Sequence, residues 1–378
     1  MGGKYERQKE KKPFGWKKVM LIVIAVILVL IIAVVIAGVV YYNSMLNKVN
    51  KVEVPKIEYT QDATEATEET AETEETTEET TEETTVETTQ PHVASSEDYI
   101  NFLIVGQAAR NDETERFADT MILCTVNTYE KTLTMTSMLR DTLVQQGGKY
   151  GSHSWGGIKL TTVYHLGYLW DETAGSMAVL NQTLYNNFGI EVDYNFEIDF
   201  DAFIKVVDLL NGVEIELTEA EADYLNADDF WVYYDVSPGL TKLDGMGALS
   251  YARMRKAAGD SDSDINRTSR QRKLIEALLN KLKGKSITKL QALADEVLPC
   301  ITTSMTNSEI TDMLLTLLPM LPELEIKTGG TCPANYWGEM VDIYGDGVQH
   351  SVLKFNVQET KAYMRAITEG EGVVADAE

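Results

Sequence analysis

The feature that most restricts this chain is an uncharged apolar run from Val19 to about Tyr42, set directly behind a basic N-terminus. It is long enough for the roughly 20 helical residues that a hydrocarbon core of about 30 Å requires. A secretory signal peptide carries a shorter apolar region, about 7 to 15 residues, closed by a small-residue cleavage site, so the run is read as a retained span. Residues 1 to 18 hold seven Lys or Arg (Lys4, Arg7, Lys9, Lys11, Lys12, Lys17 and Lys18) against two acids. Cationic flanks stay in the cytoplasm, which places everything after Tyr42 outside the cell. The expected arrangement is a single-pass protein held in the bilayer by one helix, with its C-terminal domain extracellular.

From about Tyr59 to Gln90 the chain repeats Thr and Glu ("TEETAETEETTEETTEETT"), with no Lys or Arg and almost nothing apolar. Such a segment cannot bury a core. Like charges stretch it, so it is expected to be a stalk; about 30 residues reach roughly 100 Å when extended. The chain then divides into a basic tail (1–18), a transmembrane helix (19–42), an acidic stalk (43–97), a folded domain (98–369) and a loose tail (370–378).

Within the domain, "YINFLIVG" predicts a buried strand closing on a glycine, and "DTMILCTVN" and "TLTMTSML" predict two more joined by the turn "NTYEKT". A helix over Ser176–Phe188, a strand over Tyr194–Asp199, a helix over Phe200–Leu210 and a strand over Gly212–Leu217 follow. This alternation predicts an α/β fold with helices on a central sheet, and the early hairpin makes the sheet mixed. "LDGMGALSYARMRK" predicts a short helix capped by Asp244. In "NRTSRQRKLIEALLNKLKGK", Leu274, Ile275, Leu278, Leu279 and Leu282 share one face of a second helix, either as core or as one wall of an apolar slot. More helix is expected over 286–322, then a hairpin in "YWGEMVDIYGDGVQHSVLKF".

The formal net charge is -26. A nucleic-acid partner requires a broad basic surface, so none is expected. Three cysteines are too few and too scattered for a disulfide scaffold or a zinc site. Cys124 is expected to be a buried small hydrophobe, and the sequence leaves open whether Cys300 and Cys332 pair. His153 and His165 are read as loop and packing residues, Tyr164 and Trp170 as structural.

Against this acidity stand Arg110, Arg116, Arg140, Arg253, Arg255, Arg267, Arg270 and Arg272. Arg110 and Arg116 follow the first strand, Arg140 ends a strand beside Asp141, and Arg267 and Arg270 are expected in the first turn of a helix. Strand ends and helix N-termini collect anions in α/β proteins. Arg267, Arg270 and Gln271 stand at i, i+3 and i+4 and can face one ligand. Arg253 and Arg255 share a face only on extended backbone. A single arginine is more often a surface ion-pair partner. Several at element ends point to a pyrophosphate, which guanidinium groups bind in a bidentate manner.

The fragments "NFLIVGQAAR", "RFADTMIL", "SMLRDT", "FIKVVDLLNGVEIEL", "LDGMGALSYARMR" and "RTSRQRKLI" occur in the order found in the LytR-CpsA-Psr family, which this chain resembles over about Asn101 to Leu282. The basic tail, single span and stalk also suit that family. The resemblance implies a metal-assisted phosphotransferase, using magnesium or alternatively manganese. Its reaction would move an anionic glycopolymer, of teichoic acid or capsular type, from undecaprenyl pyrophosphate to a peptidoglycan hydroxyl. By motif, Asp119 would be a metal ligand or charge-positioning group, and Arg140 with Asp141 would complete the catalytic set. Arg253, Arg255, Arg267, Arg270 and Gln271 would hold the pyrophosphate together with Arg140 and with Arg110, which matches the arginine closing the family's first glycine loop. The chain departs from the pattern where Ala108 replaces an expected carboxylate, for which Asp112 is a candidate substitute. Met138 and Leu139 stand where many relatives have Ile-Pro. Two alternatives stay open: a hydrolase releasing the glycan to water, and a non-catalytic binder of lipid pyrophosphate acting as regulator or scaffold.

Overall fold

The computed structural model describes residues 41–55, 95–107, 116–145, 157–227, 234–255, 263–283 and 285–370. The basic tail, nearly all of the expected span, the whole Thr/Glu tract and residues 371–378 lie outside them. No helix among the described residues is long and apolar enough to cross a membrane. The chain divides into two units at Lys48 and Val49. The first is described from residue 41 and is helical over 41–46 (α1).

The second unit is built on a seven-stranded sheet. It uses β1 (Asn50–Lys51), then β2 (Tyr99–Gln107), β3 (Ala118–Asn127) and β4 (Thr132–Met138), which run as an antiparallel meander. A small ribbon of β5 (Leu143–Val144) and β6 (Ile158–Lys159) leads into α2 (Leu160–Phe188), then β7 (Tyr194–Ile198) and α3 (Phe200–Leu209). β8 (Val213–Leu217), α4 (Glu219–Asn226), β9 (Gly239–Leu243), α5 (Gly245–Arg253) and α6 (Ser263–Leu282) come next. The chain ends with α7 (Ile287–Val297), β10 (Thr302–Thr303), α8 (Asn307–Met320), β11 (Glu325–Cys332), the hairpin β12 (Tyr336–Val341) and β13 (His350–Phe355), and α9 (Val357–Thr368). Strand order is β1-β10-β7-β2-β3-β4-β11. β2 and β7 run parallel, as do β4 and β11, so the sheet is mixed as the early hairpin implied.

Three differences from expectation stand out. Residues 50–51, assigned to the stalk, pair with β10 and belong to the sheet. The helix expected from Ser176 begins at Leu160 and kinks at Asp171 and Glu172, where Glu172 takes φ 47. There Gly167 and Gly175 pack backbone to backbone; a Cβ on Gly167 would lie 2.5 Å from the Gly175 carbonyl oxygen. The edge strand β11 and the short β10 were not expected; β11 carries a bulge between Thr328 and Thr331 that breaks its alternation.

One sheet face buries Leu103, Val105, Met121 and Leu123 against α2 and α9. The other buries Ile122, Cys124 and Met135. A third core gathers α3, α5 and the β8–β9 ribbon, whose Val213, Ile215 and Leu217 turn inward while Glu214 and Glu216 stay exposed. Helix α6 packs between these cores. Leu274 and Leu278 enter the third, and Ile275 and Leu279 pack on the second face of the sheet. Those apolar side chains therefore serve as core. Cys300 and Cys332 are both free, so the possible pairing is not formed, and Cys124 is buried as expected.

Candidate functional site

Arg140 follows β4 and is fixed by its backbone: Leu139 N–H donates to the Cys332 carbonyl (2.9 Å), and Thr161 N–H at the start of α2 donates to the Arg140 carbonyl (2.9 Å). That anchoring sends the guanidinium toward the neighbouring strand end. Its Nη1 lies 2.6 Å from Asp119 Oδ1, and its Nε lies 3.4 Å from Asp141 Oδ2 and 3.9 Å from Asp264 Oδ2. Lys159, ending β6, places Nζ 2.8 Å from Asp141 Oδ1. From the other side Arg267 Nη1 reaches Asp264 Oδ1 at 3.1 Å. β3, β4, β6 and α6 thus converge on one ring of alternating charge.

The ring is incomplete in hydrogen bonds. Nε of Arg140 and Nε of Arg267 are both buried, and neither has a hydrogen-bond acceptor among the described residues. Buried donors are ordinarily matched, so each of these two guanidinium N–H groups can take an acceptor oxygen.

Electrostatics follow from this crowding. Burial pulls the Arg140 pKa down, but Asp119, Asp141 and Asp264 overcome it and the net shift is upward. Burial lowers the Arg267 pKa, with Arg140 and Arg255 adding to the effect and Asp264 opposing it. Burial and the hydrogen-bonded Asp141 raise Asp264. Burial also acts to raise Asp141, yet Lys159, Asp264 and Arg140 outweigh it and hold that group low. The two carboxyls titrate as one pair, and whenever that pair holds a proton the ring is net positive.

The remaining expected site residues divide. Asp119, Arg140, Asp141 and Arg267 meet in the ring, and exposed Arg255 lies near enough to act on Arg267. Arg253 instead stacks on the Phe200 ring, 4.8 Å from its centroid. Arg270 turns away to a buried pair with Glu221 (Nε to Oε1, 2.9 Å) and donates to the Met254 carbonyl. Gln271 donates to the Ala252 carbonyl at 3.4 Å. The i, i+3, i+4 set does not face one ligand: α6 begins at Ser263, which puts Arg267 and Arg270 beyond its first turn. Arg110, Ala108 and Asp112 lie outside the described residues.

Sequence reasoning missed Lys159 and Asp264. Asp264 carried a signal, since it stands three residues before Arg267 on the same helix face; Lys159 carried none. A second network was also missed. Glu197 on β7 accepts from Gln107 Nε2 (2.7 Å) and from the Tyr164 hydroxyl, and Arg116 Nη1 donates to Gln107 Oε1 (2.8 Å). His165 packs on Phe117, as expected. Among the described residues no group of three or more His, Cys, Asp or Glu could hold a metal ion.

A model described as the LytR_cpsA_psr family matches residues 57–344. The teichoic acid transferase TagU of Halalkalibacterium halodurans, in full a polyisoprenyl-teichoic acid–peptidoglycan teichoic acid transferase, is 33% identical over 205 residues, 54% of this chain and 60% of that protein. Biofilm regulatory protein A of Streptococcus mutans is 31% identical over 186 residues, 47% of this chain and 41% of that protein. The chain therefore spans about half of each curated relative. A structure titled "TagT bound to LIIa-WTA" superposes with a TM-score of 0.53 at 25% identity, covering 76% of this chain and 96% of that one.

Proposed function

The chain belongs to the LytR-CpsA-Psr family, and from that premise we propose that it transfers an anionic glycopolymer, of teichoic acid or capsular type, from a polyprenyl pyrophosphate carrier to peptidoglycan. The observation that carries this reading is the pair of buried, unmatched Nε–H donors of Arg140 and Arg267 set around Asp264. Relatives named as teichoic acid transferases supply the substrate class. The domain works on the outer side of the membrane, with the N-terminus inside.

In this reading the two guanidinium groups take the oxygens of the linked phosphoryl groups, with Arg255 at the rim. The acceptor hydroxyl oxygen bonds to the sugar-side phosphorus, the bond to the bridging oxygen breaks, and the lipid phosphate leaves with the electron pair. The hydroxyl proton passes to one of the ring carboxylates, Asp119, Asp141 or Asp264. Preorganised charge, rather than a covalent intermediate, lowers the barrier.

Magnesium or manganese would fit at one protein carboxylate. Asp119 uses Oδ1 for Arg140, its side chain is 34% exposed, and Oδ2 makes no ion pair among the described residues. A hard cation often keeps one or two carboxylates beside substrate phosphate oxygens and water. Such an ion would neutralise charge on the diphosphate.

The test incubates the full chain with a polyprenyl-pyrophosphoryl oligosaccharide, peptidoglycan fragments and magnesium, comparing wild type with Arg140→Ala and Arg267→Ala. Transfer is lost in both variants while circular dichroism stays native; full transfer in both overturns the reading. Glycan released without acceptor would instead identify a hydrolase, and binding without turnover a regulator or scaffold.

A further inference from the structure

The arginine ring sits where β2 and β4 end; at the opposite end of the same strands, near Tyr99, Asn127 and Thr132, lies a cavity of about 210 Å3. From Thr132 to Arg140 the chain rises about 25 Å at ~3.3 Å per residue, so the two places are separate.

The cavity is lined by hydroxyls and amides, those of Thr125, Thr132, Thr134 and Asn127, beside the apolar side chain of Ile367. Its two charged lining residues, Lys327 and Glu130, lie 4.0 Å apart and offset each other. Asn127 is 3% exposed. Its Oδ1 accepts from the Glu130 N–H at 2.8 Å, which fixes Nδ2 as the outstanding donor, and Nδ2 has no acceptor among the described residues. The Thr125 hydroxyl donates to Asn101 Oδ1 and can still accept on its own oxygen. A cavity of about 150 Å3 admits a benzene ring, so this one has room for a single six-membered ring with substituents.

We propose that this cavity is a saccharide subsite that takes one neutral pyranose unit. Asn127 Nδ2 donates to a ring hydroxyl or acetamido oxygen, the threonine hydroxyls exchange hydrogen bonds with the ring substituents, and Ile367 covers an apolar ring face. The balanced charge disfavours a free anion, and the hydroxyl lining disfavours an acyl chain. This inference does not rest on the transferase reading.

The test titrates the full chain in detergent micelles with an N-acetylglucosamine tetrasaccharide and with maltotetraose, following the Asn127 side-chain amide by 1H–15N NMR and affinity by calorimetry. Asn127→Ala also removes the bond to Glu130 and can disturb folding, so the variant used is Thr134→Val, which exchanges one hydroxyl for a methyl. The Asn127 signals shift saturably with at least one saccharide, and Thr134→Val weakens that binding about tenfold, the effect of one hydrogen bond lost from a half-buried hydroxyl. The proposal fails if neither saccharide moves those signals, if Thr134→Val binds as wild type does, or if inorganic pyrophosphate moves them instead. Transfer activity is read in parallel, so absent saccharide binding with transfer intact removes this inference alone.

Discussion

Nη1 of Arg140 lies 2.6 Å from Oδ1 of Asp119, so an arginine closing β4 and an aspartate opening β3 grip each other across the end of the sheet. The contact uses one arm of the guanidinium, and Nε has no acceptor among the described residues. Arg140→Lys retains the charge but has a single nitrogen for both tasks. Transfer falls by about 100-fold or more, the cost of removing one preorganised donor. Melting temperature stays within a few degrees, because the side chain is only partly enclosed. A lysine variant with wild-type turnover would contradict the assignment.

Asp119→Asn removes the negative charge that both Arg140 and a divalent ion would use. Pyrophosphate binding, measured by calorimetry, persists in this variant but no longer tightens when magnesium is added. In the wild type, chelation with EDTA weakens binding and magnesium restores it. Equal magnesium dependence in both proteins would remove Asp119 as the metal contact.

Arg270 and Glu221 form a buried ion pair, with side chains 5% and 6% exposed. Arg270→Ala leaves a carboxylate without its partner and costs about 3–5 kcal/mol of stability. Arg270→Met together with Glu221→Gln recovers most of it, since Gln can still accept from the Thr218 N–H as Glu221 does. Urea titrations of the three proteins decide this; a stable Arg270→Ala protein with impaired pyrophosphate binding would return Arg270 to the site.

Arg272 is 7% exposed and, among the described residues, makes one hydrogen bond, from Nη1 to the Ser137 hydroxyl at 2.5 Å, and no ion pair. Burial lowers its pKa, with Tyr363 opposing the effect. A buried charge without a counter-charge is a stability liability. Arg272→Met with Ser137→Ala is therefore neutral or stabilising by about 1–4 kcal/mol. A clear loss in thermal unfolding would show an unrecognised partner.

Glu197 is raised, chiefly by burial, with Tyr164 and Arg116 acting the other way and Asp199 adding to it. A raised folded-state pKa means that the folded protein holds this proton more tightly than the unfolded chain does. The associated stability is complete below the unfolded carboxylate value and is lost as pH rises through the folded one. Glu197→Gln does not titrate, so its melting temperature relative to wild type increases between about pH 4 and about pH 8. A constant difference across that range would exclude the effect.

Strands with strong β-branched content and short connections were legible: β2, β3, β4, β7 and β8 fall where the pattern predicted them, as do the Asp244 cap and the terminal hairpin. β11 was not, because Gly329, Gly330 and the bulge erase its period. At the site, Arg140 and Asp119 were legible from their motifs. The distinct fates of Arg267 and Arg270 were not: three residues of helix leave both within reach of a common ligand, and it takes Glu221 on α4 and the Met254 carbonyl to draw Arg270 away while Asp264 holds Arg267.

The pairing of Asn50 and Lys51 with Thr302 and Thr303 has a mechanical consequence. The Thr/Glu tract lies in sequence between β1 and β2, two strands of the same sheet, so both of its ends join the folded unit. A pull on the chain ahead of β1 therefore loads the β1–β10 seam before any force reaches the acidic tract.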